Sequence, residues 1–251
     1  MKALHLGILS AGVLTLFLLA QESPEGNAEE EAVPFPFCFE VPSPGGERAV
    51  GDVGRLWYKR RLTIEFLDGD DWHHAKVEEY AKEWEPHCGI RFAFGVESGG
   101  DVRISFDPRG GNWSLLGTEA EASDGASMNL AIHRSSRESY LKSTILHEFG
   151  HALGLYHEHQ NPEKRFQWNE QAVIEDCKRI GWTDERIQKN ILRSLTNPTL
   201  TLHPSEFDRE SVMLYPIPAR WTNGAFTSSW NTGLSELDKK TVAELYGVSS
   251  R

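Results

Sequence analysis

Cysteine is scarce in this 251-residue chain: Cys38, Cys88 and Cys177 are the only three, and none belongs to a CxxC pair. A disulfide-dense scaffold and a cysteine-built zinc module are therefore excluded, and at most one intrachain disulfide can form. Basic charge is short as well, with Lys+Arg 26 against Asp+Glu 37 and a net charge of −11. That balance argues against nucleic acid or anionic lipid as partners bound through a broad basic face. No internal repeat is present. The low hydrophobicity of a disordered chain is missing too, since 39% hydrophobic and 25% charged residues make an ordinary globular composition.

The single long apolar run is residues 1–20, MKALHLGILSAGVLTLFLLA, which carries one Lys and no acid before a polar stretch. It reads as a signal peptide, so the chain is expected to be secreted. The run nearly reaches bilayer-spanning length, which leaves an uncleaved anchor as the one membrane association to consider. Residues 21–48 follow as a short acidic pro-segment or linker, with Glu29, Glu30 and Glu31 in a row and the Pro-rich VPFPFCFEVPSPGG. Between 21 and 55 there are eight acids and two bases, a net of −6, so half of the exported chain's net charge of −12 sits in that short segment; the main domain is taken as 49–251. Export to an oxidising compartment makes Cys88 and Cys177 a candidate pair, with two separately buried thiols as the competing arrangement. Asn112-Trp113-Ser114 is a glycosylation sequon in a eukaryotic secretory pathway. Lys59-Arg60-Arg61 reads as a basic strand flank rather than a processing site.

Regular structure is expected from Leu56. Strand-like runs are RLTIEF (61–66), IRFAF (90–94), VRISF (102–106) and SMNLAIH (127–133), rich in aromatic and β-branched residues. Val77, Tyr80, Ala81 and Trp84 fall at i, i+3, i+4 and i+7, the stripe of an amphipathic helix after Asp70 and Asp71. A second helix is expected from Ser139 to Leu153, stopping at Gly154. Weaker helical patterns run over 169–180 and 184–195. A last helix spans 235–246 and opens on Ser-Glu-Leu-Asp, a capping box.

The segment that carries chemistry is HEFGHALGLYHEH, residues 147–159. His147 and His151 stand at i and i+4, so a helix projects both imidazoles from one face toward a single metal. Glu148 sits on the flank, too oblique to be a third ligand but within reach of a water held by that metal. Gly154 ends the helix and lets the chain turn back, so that His157 supplies the third nitrogen. Three neutral imidazoles leave one position open, the arrangement of a catalytic zinc rather than a closed structural one. With this composition, HExxHxxGxxH arises by accident in roughly one chain of this length in ten thousand. Beyond the N-terminal run, which holds His5, the remaining histidines, His73, His74, His87, His133, His159 and His203, share no ligand spacing and are expected to be solvated or hydrogen-bonded rather than metal-binding.

At these residues the sequence resembles the metzincin zinc endopeptidases, and among them the astacin-like group, in which a Glu follows the third His as Glu158 does here. Ser211-Val212-Met213-Leu214-Tyr215, with Met213 56 residues past His157, resembles the family's Met-turn. The likeness extends over about 56–247. It implies an α+β fold of metzincin type: a twisted mixed sheet plus two helices in the N-terminal subdomain, then a mostly irregular C-terminal subdomain with a closing helix. It implies one catalytic Zn2+, held by His147, His151 and His157, and hydrolysis of a polypeptide by a metal-activated water with Glu148 as general base. By the same resemblance Met213 is a structural floor, Tyr215 an oxyanion donor or switchable ligand, and SMNLAIH the cleft-edge strand on which substrate pairs. Residues 216–230 are expected to line the specificity pocket, and the protein to act as a monomer.

For the leader the resemblance offers cleavage after Arg48, freeing Ala49 to pair its ammonium with Glu158. Cys38 as a latency ligand on the open metal position competes with it, as does a linker with no such role. The run HQNPEKRF departs from the Arg-containing astacin pattern, and Leu214 replaces the usual Met-turn His. A matrixin-like protease and a catalytically silent binding module therefore stand as alternatives.

Overall fold

The alternation in RLTIEF buries Leu62 and Ile64 and turns Arg61 outward, as expected of a strand with one covered face. The computed structural model describes residues 55–195 and 206–247; the expected signal peptide, the pro-segment with Cys38, and His203 lie outside them. This first strand, β1 (Arg61–Phe66), is followed by helix α1 (Asp71–Ala81) and strands β2 (Arg91–Phe94), β3 (Val102–Ser105), β4 (Trp113–Ser114) and β5 (Met128–Asn129). They form one five-stranded sheet in the order β2-β1-β3-β5-β4, parallel throughout except for antiparallel β4. Ile64 faces Phe94 of β2 on one side and Val102 of β3 on the other, so buried Ile64 and Val102 and half-buried Phe94 share one face of the sheet.

SMNLAIH was expected to be the sheet's free edge, and here the structure corrects the sequence. Only Met128–Asn129 is strand, and both its sides are occupied: Ser127 N and Leu130 N donate to Arg103 O and Ser105 O, while Leu115 N donates to Ser127 O. The edge on that side of the sheet is β4, which the NWSLLG stretch conceals because a two-residue strand leaves no alternation to read.

Helix α1 starts where Asp70 accepts from Trp72 N and His73 N, at 3.1 and 3.2 Å, satisfying donors that the first helical turn leaves open. Its Val77, Tyr80 and Ala81 pack inward against α2 (Glu138–Ala152). Helix α2 runs through the main core, buried almost continuously from Leu141 onward. Its end is closed from outside the helix: Trp57 Nε1 donates to Ala152 O at 2.7 Å and Tyr246 Oη to Leu153 O at 2.8 Å. Gly154 then takes φ +87°, a left-handed conformation in which a side chain is strained.

The C-terminal subdomain contains α3 (Glu170–Arg179), α4 (Asp184–Ile187) and the closing helix α5 (Glu236–Tyr246). The single helix expected over 184–195 is in fact α4 followed by a wider π-type turn at Gln188–Leu192. Phe166, Val173, Trp182, Ile187, Ile191 and Trp221 are buried outside the main core. Buried Asp176 on α3 accepts from Trp221 Nε1 at 2.8 Å, joining α3 to the turn at Ala219–Thr222. Cys88 belongs to the main core and Cys177 to α3; both are buried and free, so the disulfide expectation gives way to two separate thiols. Among the described residues no helix is long and apolar enough to cross a membrane.

Candidate metal centre

Helix α2 delivers His147 and His151 to one face, and the turn at Gly154 brings His157 back beside them. The three ring centroids stand 4.8, 5.2 and 4.5 Å apart, and all three side chains are buried. His151 Nε2 lies 3.1 Å from His157 Nε2, close to the roughly 3.3 Å between two nitrogens of a tetrahedral zinc site with Zn–N near 2.05 Å. The three rings offer ligand atoms within 4.8 Å of one another, and among the described residues they are the one His/Cys/Asp/Glu group able to hold a metal ion.

The protons are placed accordingly. His147 Nδ1 lies 2.8 Å from Val212 O and His151 Nδ1 2.7 Å from Leu155 O. A carbonyl only accepts, so Nδ1 carries the proton on both rings and Nε2 keeps its lone pair for a metal. His147 Nε2 is buried without a protein partner, an orphan that a metal ion accounts for. Burial pushes His147 down to about 4 and holds His151 and His157 well below the ordinary imidazole range. The rings are thus neutral, the form that binds a metal.

Under the histidines lies the segment 211–215. A Cβ on Gly150 would collide with Met213 Sδ, so the glycine between the two helical ligands is the space that methionine fills. Met213 O accepts from Glu158 N at 3.0 Å. Tyr215 is buried, its ring centroid 5.7 Å from that of His147 and 4.4 Å from that of His157. Glu148, one residue beyond His147, is buried as well.

Two carboxyl groups support this floor from behind. Asp238, third residue of α5, accepts from Ser211 Oγ at 2.7 Å, Val212 N at 2.9 Å and Ser235 N at 3.0 Å. The Val212 carbonyl holds His147, so the capping box of the last helix reaches the metal centre through one short segment of backbone. Glu158 accepts from Asn161 Nδ2 and Asp208 N, both at 2.9 Å, and burial pushes its carboxyl up to about 8.

The structure therefore brings together His147, Glu148, His151, His157, Glu158, Met213 and Tyr215, while Cys38 lies outside the described residues. Sequence reading missed three contributors. Gly150 shows in the sequence only as a motif filler and Asp238 only as a helix cap; His159 is hydrogen-bonded and outside the metal-capable group as expected, but its full burial against His157 and Tyr215 has no sequence signal. Asn112, the sequon residue, is buried with its amide donating to Tyr140 Oη and its carbonyl oxygen accepting from Ala131 N. In the folded chain that amide is buried, out of reach of a glycan.

A mixed sheet over a long helix bearing two ligands, a glycine turn to the third and a methionine floor define a zinc metalloendopeptidase of metzincin type. Comparison narrows this. The model of the astacin peptidase family matches residues 50–232, and the chain belongs to that family. The matrixin-like alternative is thereby set aside. Over 128 residues the chain is 26% identical to "Zinc metalloproteinase nas-36" of Brugia malayi; the match covers 51% of this chain and 20% of that relative. Myroilysin superposes with a TM-score of 0.70 at 28% identity, over 77% of this chain and 96% of its own. High choriolytic enzyme 1, a hatching enzyme zinc-protease from Oryzias latipes, shares the fold, with a TM-score of 0.57 at 20% identity over 80% of this chain and 98% of its own.

Proposed function

We propose that the protein is a secreted, monomeric zinc endopeptidase whose general base is Glu148, made with a signal peptide at 1–20, an acidic pro-segment at 21–48 and a catalytic domain at 49–251. The observation that carries this is the convergence of three buried neutral imidazoles, two with their Nδ1 protons tied to carbonyls, beside a buried glutamate. A bound zinc ion supplies Lewis acidity there, making water a nucleophile at neutral pH and polarising the amide carbonyl. Glu148 accepts the proton of the attacking water and passes it to the departing amine. Tyr215 donates its O–H to the oxyanion that develops on the former carbonyl oxygen.

An extended peptide pairs with the open edge of β4, and side chains on its far side meet the wall built by residues 216–230. There Phe226 stacks on Phe166 at 4.6 Å and Ile217 bridges to Ser228. In the leader, removal of 21–48 frees Ala49, whose ammonium pairs with the Glu158 carboxylate; the family match starting at residue 50 supports this cut. Cys38 thiolate on the open metal position is the competing latency device. N-terminal sequencing of the exported protein and the latency of Cys38→Ala separate the two: a start at Ala49 supports the first, and loss of latency in Cys38→Ala supports the second. A silent binding module would need a broken ligand set or a missing base, and neither defect is present.

The function is tested by casein cleavage with and without a chelator. Activity that disappears on chelation and returns with zinc supports it; activity that survives chelation overturns it.

A further inference from the structure

Two of the three candidate ligands have an outer partner and the third does not. His147 Nδ1 and His151 Nδ1 each reach a carbonyl, while His157 Nδ1 is buried with no protein partner. The ring stacked on His157, at a centroid distance of 5.1 Å and an interplanar angle of 20°, is His159. Its Nδ1 is buried and unpartnered too. Both residues are inaccessible, at 1% and 0% exposure, so neither orphan reaches bulk water.

The tautomers make these orphans complementary. His159 Nε2 lies 2.7 Å from Asn190 O, and a carbonyl requires the proton to be on Nε2, which leaves His159 Nδ1 as an acceptor. His157 bound to zinc through Nε2 carries its proton on Nδ1 and is a donor. A donor or acceptor left buried and unmade is destabilising, and here one group of each kind is in that position. Trp168, 6.0 Å from His159 by ring centroids, adds a second orphaned donor in its Nε1–H.

We infer that His159 is the positioning residue of the third zinc ligand: one buried water accepts from His157 Nδ1–H and donates to His159 Nδ1, linking His157 to the Asn190 carbonyl. Accepting from Trp168 Nε1–H as well gives that water three hydrogen bonds, the usual number for a buried one. The π-type turn at Gln188–Leu192 then has a task, since it presents Asn190 O to His159 while Gln160 Nε2 is held by Lys189 O at 2.8 Å. The inference rests on His157 being a zinc ligand.

The test is zinc affinity of the full chain, measured by competition with a chelator. His159→Gln keeps a donor for Asn190 O but loses the acceptor at the δ position, and is expected to bind zinc at least about tenfold more weakly, the lower end of losses for outer partners of metal ligands. His159→Asn restores an acceptor at that position and is expected to recover part of the loss. Wild-type affinity in a folded His159→Gln overturns the inference. A wild-type chain that binds no zinc overturns the metal centre along with it. Independently of any variant, 15N spectra of the zinc-loaded wild type are expected to show His159 protonated at Nε2 and His157 at Nδ1; a proton on His159 Nδ1 contradicts the proposal.

Discussion

Gly150 and Met213 exclude one another's side-chain space: a Cβ on Gly150 would fall inside the envelope of the Met213 sulfur. The helix carrying two ligands and the turn beneath them are fitted at this point, and both are buried in the main core. Gly150→Ala gains helix propensity yet forces Met213 out of its seat. It is expected to destabilise the zinc-free protein by about 1–3 kcal/mol, the range for overpacked cores. The double variant Gly150→Ala/Met213→Ala is expected to lose less than the sum of the two single losses, because the pair is in contact. Denaturant titration of the four proteins checks this; strict additivity contradicts the fitted contact.

Asp238 is expected to matter for zinc although it is far from any ligand in sequence. Three donors converge on its two oxygens, and an asparagine offers only one acceptor oxygen. Asp238→Asn is expected to cost about 1–3 kcal/mol of stability and, by loosening the Val212 carbonyl that holds His147, about tenfold in zinc affinity. Chemical denaturation and chelator competition give the two numbers separately.

Acid is expected to destabilise the zinc-free protein. Burial pushes His147 down to about 4 and His159 to about 3 from an ordinary 6.5, and lowers His151 and His157 as well. The unfolded chain binds the extra protons, so this stabilisation is present above about 6.5 and lost as pH falls toward the folded values. Glu158, pushed up to about 8 from 4.5, has the opposite sign and loses stability as pH rises through that window, and raised Asp238 acts the same way. Four histidines outweigh two acids between about 4.5 and 6.5, so the midpoint of thermal unfolding is expected to rise with pH there. Glu158→Gln removes one opposing group and is expected to make the rise steeper; a flatter profile contradicts the assignment.

The open edge of β4 gives a substrate-level prediction. Leu115 N bonds inward to Ser127 O, and the antiparallel alternation turns Ser114 N–H away from β5. Ser114→Pro removes that outward donor while sparing the inward ladder. It is expected to lower kcat/KM on peptides about three- to tenfold, the size of one net hydrogen bond, with zinc affinity unchanged. Unchanged peptide kinetics places substrate elsewhere.

Local pattern made much of this molecule legible. The His147/His151 spacing, the glycine stop at Gly154 and the Ser235 cap are all set within a turn or two of chain, and the helices they define fall within a residue or two of their expected bounds. What escaped depends on contacts distant in sequence. Leu130 and Ser105 decide that β5 is interior, Met213 decides why residue 150 is glycine, and Asn190 decides the tautomer of His159. Cysteine spacing could not tell that Cys88 lies in the main core and Cys177 outside it.

The proposed hydrolysis turns on Glu148 acting as a base beside a metal it does not hold. Peptide hydrolysis by zinc-loaded Glu148→Ala, with its zinc content measured in the same sample, tests that most directly. The expected result is one zinc per chain at wild-type affinity with kcat lowered by about 10²–10⁴-fold, the usual worth of a general base. Wild-type turnover by the zinc-loaded variant, or loss of the zinc itself, contradicts it.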